Sequence, residues 1–246
     1  MKTSKPLSVL LSVLTALLVV SGSVAVPLLC RPFYYAHITP MNLTAYGLPE
    51  EQIITAYDEM MDFCLGLSEE FSVGVLAFSR SGFEHFADVR KLFLLDLWVL
   101  AISAALLAVL FVYVRRKQVR PYCFREHGPG FWAAVGLGVS FLTVGGLATL
   151  DFDRAFVVFH AIFFPGKENW IFDWREDPII LFLPQDFFRN CAILILALLL
   201  VWCVILVSAD IFANRARKKR EAEAAAAFQG CAGCPSLQSQ IKNGVR

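Results

Sequence analysis

The sequence has few charged residues for a chain of 246 amino acids. Charged side chains make up 17 % of it, and the formal net charge is only +1. A near-neutral chain offers no basic surface for a nucleic acid and no strong charge of either sign for a polymeric partner. The chain is also 57 % apolar, with a mean hydropathy of +0.60. This composition is too hydrophobic for a soluble globular protein and predicts a polytopic membrane protein.

The sequence also lacks the motifs of common catalytic and cofactor sites. It has no G-x-S-x-G elbow, no H-E-x-x-H helix and no glycine-rich phosphate loop after a strand. Its seven cysteines have no regular spacing, which excludes a disulfide framework but leaves open a pairing of Cys30 with Cys64. Cys231 and Cys234 form a lone C-x-x-C without a second pair or a nearby histidine. We therefore expect no metal or redox site there.

Four apolar runs are long enough to cross a membrane as helices of about 20 residues. They are residues 7–29, 92–114, 131–150 and 191–213. The first run contains a processing-like Ser23-Val24-Ala25 sequence, but it is longer than the roughly 7 to 15 apolar residues of a secretory signal. We therefore expect it to stay in the protein as the first of four transmembrane helices.

The placement of charge predicts the side of the membrane on which each loop lies. Basic residues crowd the segments 115–125 and 215–220, and such segments stay in the cytoplasm. The acidic residues agree, because 9 of the 21 lie between the first two spans and 7 lie in the segment after the third. Both termini are therefore expected inside. The predicted parts are two extracytoplasmic loops at 31–91 and 151–190, called the outer loops below, a cytoplasmic loop at 115–130, and a tail at 214–246.

The outer loops predict a small mixed α/β cap over the four-helix bundle. Residues 49–64 open with proline and two acidic residues and then keep apolar residues at helical spacing, which indicates a helix. Residues 71–79 and 170–174 are interpreted as strands. On the other side, the alanine-rich run after Arg220 predicts an extension of the fourth helix, and we expect disorder from Gly230 onward.

Two histidines lie beyond the ends of spans on the predicted outer side. A helical His85 would stand roughly 10 Å above the hydrocarbon edge, at the depth of lipid ester groups. If the third helix continues past Leu150, His160 would lie roughly 15 Å beyond it, at a comparable height. An imidazole with a pKa near 6.5 can both give and take a proton near neutrality. The two rings are therefore expected to meet as acid and base, and the alternative is that each is an interfacial anchor.

Several other residues are candidates for supporting the two histidines. Asp88, Asp173 and Asp177 can orient or charge the rings, or they can be ordinary solvated or capping carboxylates. Asp96 lies on the same helical arc as His85, about one turn inside the span, where an unpaired carboxylate costs a few kcal/mol. It needs a polar partner such as Arg189, unless it reaches water. The residues available to hold a headgroup or stabilise an oxyanion are Tyr34, Tyr35, Arg80, Trp170 and Arg175.

Four short segments together resemble a known family. They read G-F-E-H-F-A-D-V-R-K-L-F from Gly82, F-H-A-I-F-F from Phe159, N-W-I-F-D from Asn169 and L-P-Q-D-F-F from Leu183. Their order, spacing and membrane setting are similar to those of the bacterial lipoprotein intramolecular transacylase family, called Lit, over residues 7–213. The resemblance implies an enzyme of the bacterial cell membrane. Its reaction would move an acyl chain from the diacylglyceryl group of a lipoprotein's N-terminal cysteine to that cysteine's α-amino group, giving the lyso-form lipoprotein.

The resemblance also implies which residues and partners take part. The paired catalytic histidines of the family carry over onto His85 and His160, without a metal or organic cofactor. The expected partners are the diacylglyceryl-modified lipoprotein and membrane lipids, and the sequence makes no prediction of oligomeric state. Two other functions stay open from the residues alone. One is a haem- or metal-binding membrane protein with His85 and His160 as ligands, and the other is a non-catalytic assembly or sensor subunit.

The predicted topology can be tested by thiol labelling in intact cells. After replacement of the native cysteines, a cysteine at Glu51 or at Glu168 should react with a membrane-impermeant thiol reagent, because the charge bias places both on the outer side. A cysteine at Arg120 serves as the control and should react only after lysis. Labelling of the first two positions only after lysis would contradict the shared outer placement of the histidines.

Overall fold

Helices make up most of the protein. The computed structural model describes residues 3–232, with side chains through residue 226. The helices are α1 (Lys5–Leu29), α2 (Arg31–Ile38), α3 (Glu50–Cys64), α4 (Arg80–Lys117), α5 (Pro129–Leu150), α6 (Phe152–Phe163), α7 (Ile179–Phe182) and α8 (Gln185–Ala232), with a 3-10 turn at Leu43–Tyr46. Cys234, and the part of the predicted disordered tail from residue 233, lie outside the described residues. The predicted extension of the fourth helix is present in α8.

Four of these helices are long and apolar enough to cross a membrane: α1, α4, α5 and α8. Each contains one of the predicted spans. Helix α1 packs against the other three, and α5 packs along α8. Only helices satisfy their backbone groups internally within lipid, which explains why the apolar runs take this form. With 38 residues, α4 is about 57 Å long. Because the hydrocarbon core is about 30 Å thick, the charged first turns of α4, residues 80–91, project beyond the apolar span.

The cap is helical, and its mixed α/β character is not confirmed. The described residues of the outer loops contain no strand, so the two predicted strands are wrong. Residues 71–79 run as a loop whose polar backbone groups bond to side chains instead of a neighbouring strand: Gly74 N–H donates to Glu59 Oε2 at 2.8 Å. Residues 170–174 form successive turns, with Ile171 N–H bonded to the carbonyl of Glu168. Within the described residues, the strands are Thr3–Ser4 (β1) and Arg120–Pro121 (β2), a parallel pair at the opposite end of the bundle.

The cap has an apolar core of its own. The predicted helix at 49–64 is confirmed as α3, which buries one face against α2, the start of α4 and the start of α8. The buried core residues include Tyr34, Ile38, Ile53, Tyr57, Met60, Phe71, Phe86, Ile179, Phe182 and Phe187. Tyr34 stacks on Tyr57 with ring centroids 3.8 Å apart. Cys30 is exposed and Cys64 is buried, and both are free thiols. The cap therefore holds the projecting turns of α4 by packing and not by a disulfide.

The first turn of α4 is fastened by a buried carboxylate from the second outer loop. Ser79 caps the helix, since its hydroxyl accepts from Gly82 N–H at 2.9 Å. Asp177 is 4 % exposed and accepts from both Ser79 N–H and Ser79 Oγ–H, each at 2.7 Å. A side chain at Gly82 would occupy the place of this carboxylate, because a Cβ atom there would lie 2.8 Å from Asp177 Cγ. The glycine is therefore required by the contact between the two loops.

Substituting Gly82 tests this fastening. Gly82→Ala should destabilise the protein by about 1–3 kcal/mol, because the methyl group displaces Asp177 from the Ser79 cap. Thermal unfolding in detergent would measure the loss. Gly146→Ala in α5 is the matched control, since no atom lies within 4 Å of a Cβ there and alanine favours a helix. Equal melting temperatures for the two variants would contradict the role assigned to Gly82.

Candidate functional site

The two histidines of the predicted outer loops meet at the end of the bundle opposite β1 and β2. His85 lies in the second turn of α4, and His160 lies in α6. Their ring centroids are 5.9 Å apart with an angle of 29° between the ring planes. The sequence suggested that the third transmembrane helix could continue as far as His160, but the helix stops before it. It ends at Leu150, and Asp151 starts α6 as a new helix by accepting from Arg154 N–H at 2.9 Å. The break between α5 and α6 therefore allows the His160 ring to reach the His85 ring.

The His160 ring is held from two sides. Its Nδ1–H donates to the carbonyl oxygen of Phe156 at 2.8 Å. A carbonyl can only accept, so Nδ1 carries the proton and Nε2 keeps a free lone pair. Trp170 stacks on the ring with centroids 4.5 Å apart and 26° between the planes. Only 7 % of His160 is exposed. The one nitrogen that is free to exchange a proton is therefore Nε2.

The His85 ring sits among aromatic side chains from the second outer loop. Phe164 and Phe172 present their rings at 5.1 and 5.4 Å from it, and the residue is 6 % exposed. Its Nδ1 atom is buried and has no aligned hydrogen-bond partner. An imidazole in such surroundings loses its water of hydration without gaining a counter-charge in direct contact, which disfavours its protonated form.

Both imidazoles are harder to protonate than a histidine in water. Burial, and to a smaller extent the neighbouring His160, lower the pKa of His85 to about 4, although Asp88 and Asn169 act in the opposite direction. Burial also lowers the pKa of His160, against the bond to Phe156. Each ring disfavours a charge on the other, so the pair accepts one proton far more readily than two. Both rings therefore favour the unprotonated form in the free protein.

Asp88 is the centre of a charged cluster one turn beyond His85. Its carboxylate accepts from Lys167 Nζ, from Lys91 Nζ at 3.0 Å and from Asn169 Nδ2 at 3.4 Å. Burial alone would raise the pKa of Asp88, but these hydrogen bonds outweigh it and lower the pKa to about 2. The cluster borders an open groove of about 400 Å³, whose other lining residues are Glu84, Ala87 and Glu168. Asp88 therefore remains charged and ties α4 to the second outer loop.

Most of the other sequence candidates make their contacts elsewhere. Tyr34 is buried in the cap core and donates its hydroxyl to the carbonyl of Phe182, while Tyr35 donates to the Asp58 carboxylate. Arg80 is exposed and pairs with Glu84. Asp173 accepts from Arg175 N–H, within an exposed turn. Of the supporting candidates, the structure brings Trp170 and Asp88 to the histidines and gives the others separate structural partners.

Asp96 does not pair with Arg189, which was one candidate for its partner. Arg189 instead forms an ion pair with Asp186 at 2.9 Å, one turn away in α8. Asp96 faces Ser21 of α1, and its Oδ2 atom is buried without a hydrogen-bond partner. The carboxyl group therefore lies between helices α1 and α4 and is not part of the histidine pair.

Sequence reasoning missed two polar residues of the site, Lys167 and Asn169. Both belong to the turn after α6, whose Phe164 and Trp170 contact the two histidine rings. The only signal for Asn169 was its place at the head of the N-W-I-F-D segment. Neither residue was predictable as a partner of Asp88, because the contacts join positions about 80 residues apart. Within residues 3–232, no three His, Cys, Asp or Glu side chains come together as a metal site.

Three solved structures of a bacterial membrane protein share this fold. The structure of the membrane integral lipoprotein intramolecular transacylase Lit from Bacillus cereus has a TM-score of 0.76 and 21 % identity, covering 87 % of this chain and 96 % of that one. A variant of it with a histidine-to-arginine substitution has a TM-score of 0.71 and 20 % identity, covering 88 % of this chain and 93 % of that one. A histidine-to-alanine variant gives 0.71 and 20 %, with coverages of 87 % and 94 %.

The sequence comparison points to the same proteins. Comparison with curated protein sequences gives no match. The family model for the lipoprotein intramolecular transacylase Lit matches residues 9–188. That range is well over half of the chain, and it includes both histidines, Asp88, Asn169 and Asp177. The chain therefore belongs to the lipoprotein intramolecular transacylase family Lit, whose members are integral membrane enzymes.

Proposed function

We propose that this enzyme moves an acyl chain from the diacylglyceryl group of a lipoprotein's N-terminal cysteine to the α-amino group of the same cysteine, using His85 and His160 as base and acid. The observation that supports this proposal is the pair of buried imidazoles with ring centroids 5.9 Å apart. Two hydrogen bonds of about 3 Å, one from each ring to a shared reacting centre, cover a similar distance, so one reacting centre can be within reach of both rings. Family membership favours this function over haem or metal binding.

The substrate supplies the proton that makes one histidine an acid. The α-amino group of a peptide has a pKa of about 7.7–8.0, so it arrives largely as ammonium. One ring must take a proton from it before the nitrogen can attack. Because His85 is more strongly disfavoured as a cation, His160 takes that proton on Nε2. His160 then becomes the acid, and His85 remains the neutral base.

The remaining steps exchange one proton for another. The amine nitrogen attacks the ester carbonyl carbon and forms the C–N bond. As the C–O bond to glycerol breaks, His160 gives its Nε2 proton to the departing oxygen while His85 takes a proton from the attacking nitrogen. The pair never holds two protons, as the repulsion between the rings requires. Release of the proton from His85 to water leaves an amide, a free hydroxyl group and both rings neutral.

The tethered substrate explains how so few groups suffice. The amine and the ester belong to the same modified cysteine, so the attack is intramolecular and avoids the entropy cost of a second encounter, worth several kcal/mol. The aromatic walls around both rings exclude water, which would otherwise compete with the amine for the ester. Acid–base assistance is then the main requirement that the protein must meet.

Substitution of the two histidines tests their joint role. His85→Ala and His160→Ala should each lower the rate of lyso-form formation by about 10² to 10⁴, measured by mass spectrometry of a lipoprotein's N-terminal lipopeptide. The double variant should lose little more activity than either single variant, because removing one member of a proton-transfer pair leaves the other with no step to catalyse. Multiplied losses in the double variant would assign the rings to independent roles.

His37→Ala is the matched control for these variants. His37 lies in α2 of the cap, and its Nδ1–H donates to the carbonyl four residues earlier, as that of His160 does. It packs against Phe33 and Phe187 and away from the pair. The variant should keep most of the activity. Loss of activity equal to that of His160→Ala would show that the assay reports damage to the cap and not loss of the acid.

The dependence of the rate on pH tests the charge state of the pair. The reactive complex carries one proton shared by the amine and the rings. A second proton binds to the rings only when the pH falls below their lowered pKa values, and the rate then falls. The acid limb of kcat/KM should therefore lie below pH 6.5, the ordinary pKa of histidine. The alkaline limb should lie near pH 8, where the amine loses its proton. An acid limb at or above pH 6.5 would contradict the unprotonated pair.

A further inference from the structure

Two neighbouring side chains each have one buried polar atom without a hydrogen-bond partner. They are Nδ1 of His85 and Oδ1 of Asn169, two of three such side-chain atoms within the described residues. The Asn169 side chain is a neighbour of the His85 ring and acts to raise the pKa of that ring, against the effect of burial. A buried polar group without a partner is destabilising. One of these two atoms can donate and the other can accept, so a hydrogen bond between them would satisfy both.

The orientation of the Asn169 amide follows from its other contact. Its Nδ2 group lies 3.4 Å from Asp88 Oδ2. A charged carboxylate only accepts hydrogen bonds, so the amide must present its N–H₂ group to Asp88 and its Oδ1 to the opposite side. The neighbouring buried atom that also has no partner is Nδ1 of His85. An amide oxygen can only accept, so the ring atom that satisfies it is a protonated Nδ1.

We propose that Asn169 is a positioning residue, which accepts a hydrogen bond from His85 Nδ1–H and thereby holds the ring in one orientation and one tautomer. The inference rests on the function proposed for His85. It places Nε2 of His85 as the free nitrogen that takes the proton from the attacking amine. His160 has the same arrangement, with Nδ1–H bonded to Phe156 and Nε2 free. Both rings therefore work through the same nitrogen.

Asn169 is itself held by the charged cluster around Asp88. Asp88 and His85 lie on the same face of α4, three residues apart, while Lys167 and Asn169 come from one turn of the second outer loop. Lys167 bonds to Asp88, and its carbonyl accepts from Trp170 Nε1–H at 3.1 Å. The chain of contacts runs from Lys167 to Asp88, to Asn169 and then to His85. Asp88 and its lysines thus orient the ring only through Asn169.

The choice of an amide in place of a carboxylate has a chemical consequence. A carboxylate bonded to Nδ1–H stabilises the imidazolium and raises the pKa of the ring. A neutral amide fixes the tautomer with a much smaller effect on charge. His85 therefore stays neutral until the reaction. It must be neutral to act as a base, and a charge on it would be repelled by the protonated His160. Asp88 is separated from the His85 ring by Asn169, and its charge is neutralised by Lys91 and Lys167.

Three variants separate positioning from structural support. Asn169→Ala should lower kcat about 10- to 100-fold with little change in KM, the loss typical when a residue that orients a histidine is removed. Asn169→Asp is nearly isosteric and keeps the acceptor oxygen, but it should move the acid limb of the pH profile upward because the new charge stabilises the His85 cation. Glu176→Ala, an exposed position in the same loop, is the control and should leave kcat, KM and the pH profile unchanged.

A readout apart from activity completes the test. The ¹⁵N shifts of His85 in the detergent-solubilised full chain should show a protonated Nδ1 in the wild type and a mixture of tautomers in Asn169→Ala. An unchanged tautomer in that variant, or an unchanged pH profile in Asn169→Asp, would overturn the proposal for Asn169. Neither result would affect the acid–base function, which is tested separately by the His85→Ala, His160→Ala and double variants. The two proposals therefore fail in different experiments.

Discussion

Two carboxylates, pointing in opposite directions, hold the second outer loop against the start of α4. Asp177 reaches from the loop to the cap of α4 at Ser79, and Asp88 reaches from α4 to Lys167 and Asn169 in the loop. His85 lies between these two attachments. The loop supplies the aromatic walls of the site, and α6 supplies His160, so the separation of the two rings depends on these contacts.

The position of the pair follows from the excess length of one helix. The apolar span of α4 is sufficient to cross the hydrocarbon, and three further turns carry Arg80, Glu84, His85 and Asp88 beyond it. Such an extension would be marginal alone in water, because isolated short helices are weakly stable. The cap core packs against it through Phe86, and the Asp177 contact closes its first turn. The cap is therefore a support that holds the projecting helix next to α6.

Burial controls the chemistry of the pair more than any single charged neighbour does. Phenylalanine rings and Trp170 surround the histidines, and the charged groups of the cluster lie one side chain further away. Low dielectric disfavours a cation on either ring, and the proximity of the rings disfavours two cations still more. A substrate that brings its own ammonium proton next to its own ester suits such a site, since the protein needs only to relay that proton.

The sequence by itself determined the four membrane helices, helix α3 and the expectation that His85 and His160 lie close together, because hydropathy, helical spacing and distance beyond the end of a span are all local signals. It could not determine that residues 71–79 and 170–174 are loops, since Gly74 bonds to the side chain of Glu59 and Ile171 bonds to the carbonyl of Glu168 in a local turn, and neither pairs with a neighbouring strand. Nor could it reveal the break at Asp151, the need for a glycine at position 82, or the link from Asp88 through Asn169 to His85. Each of these depends on atoms brought within a few ångströms by the packing of the cap, and only the tertiary structure decides which atoms those are.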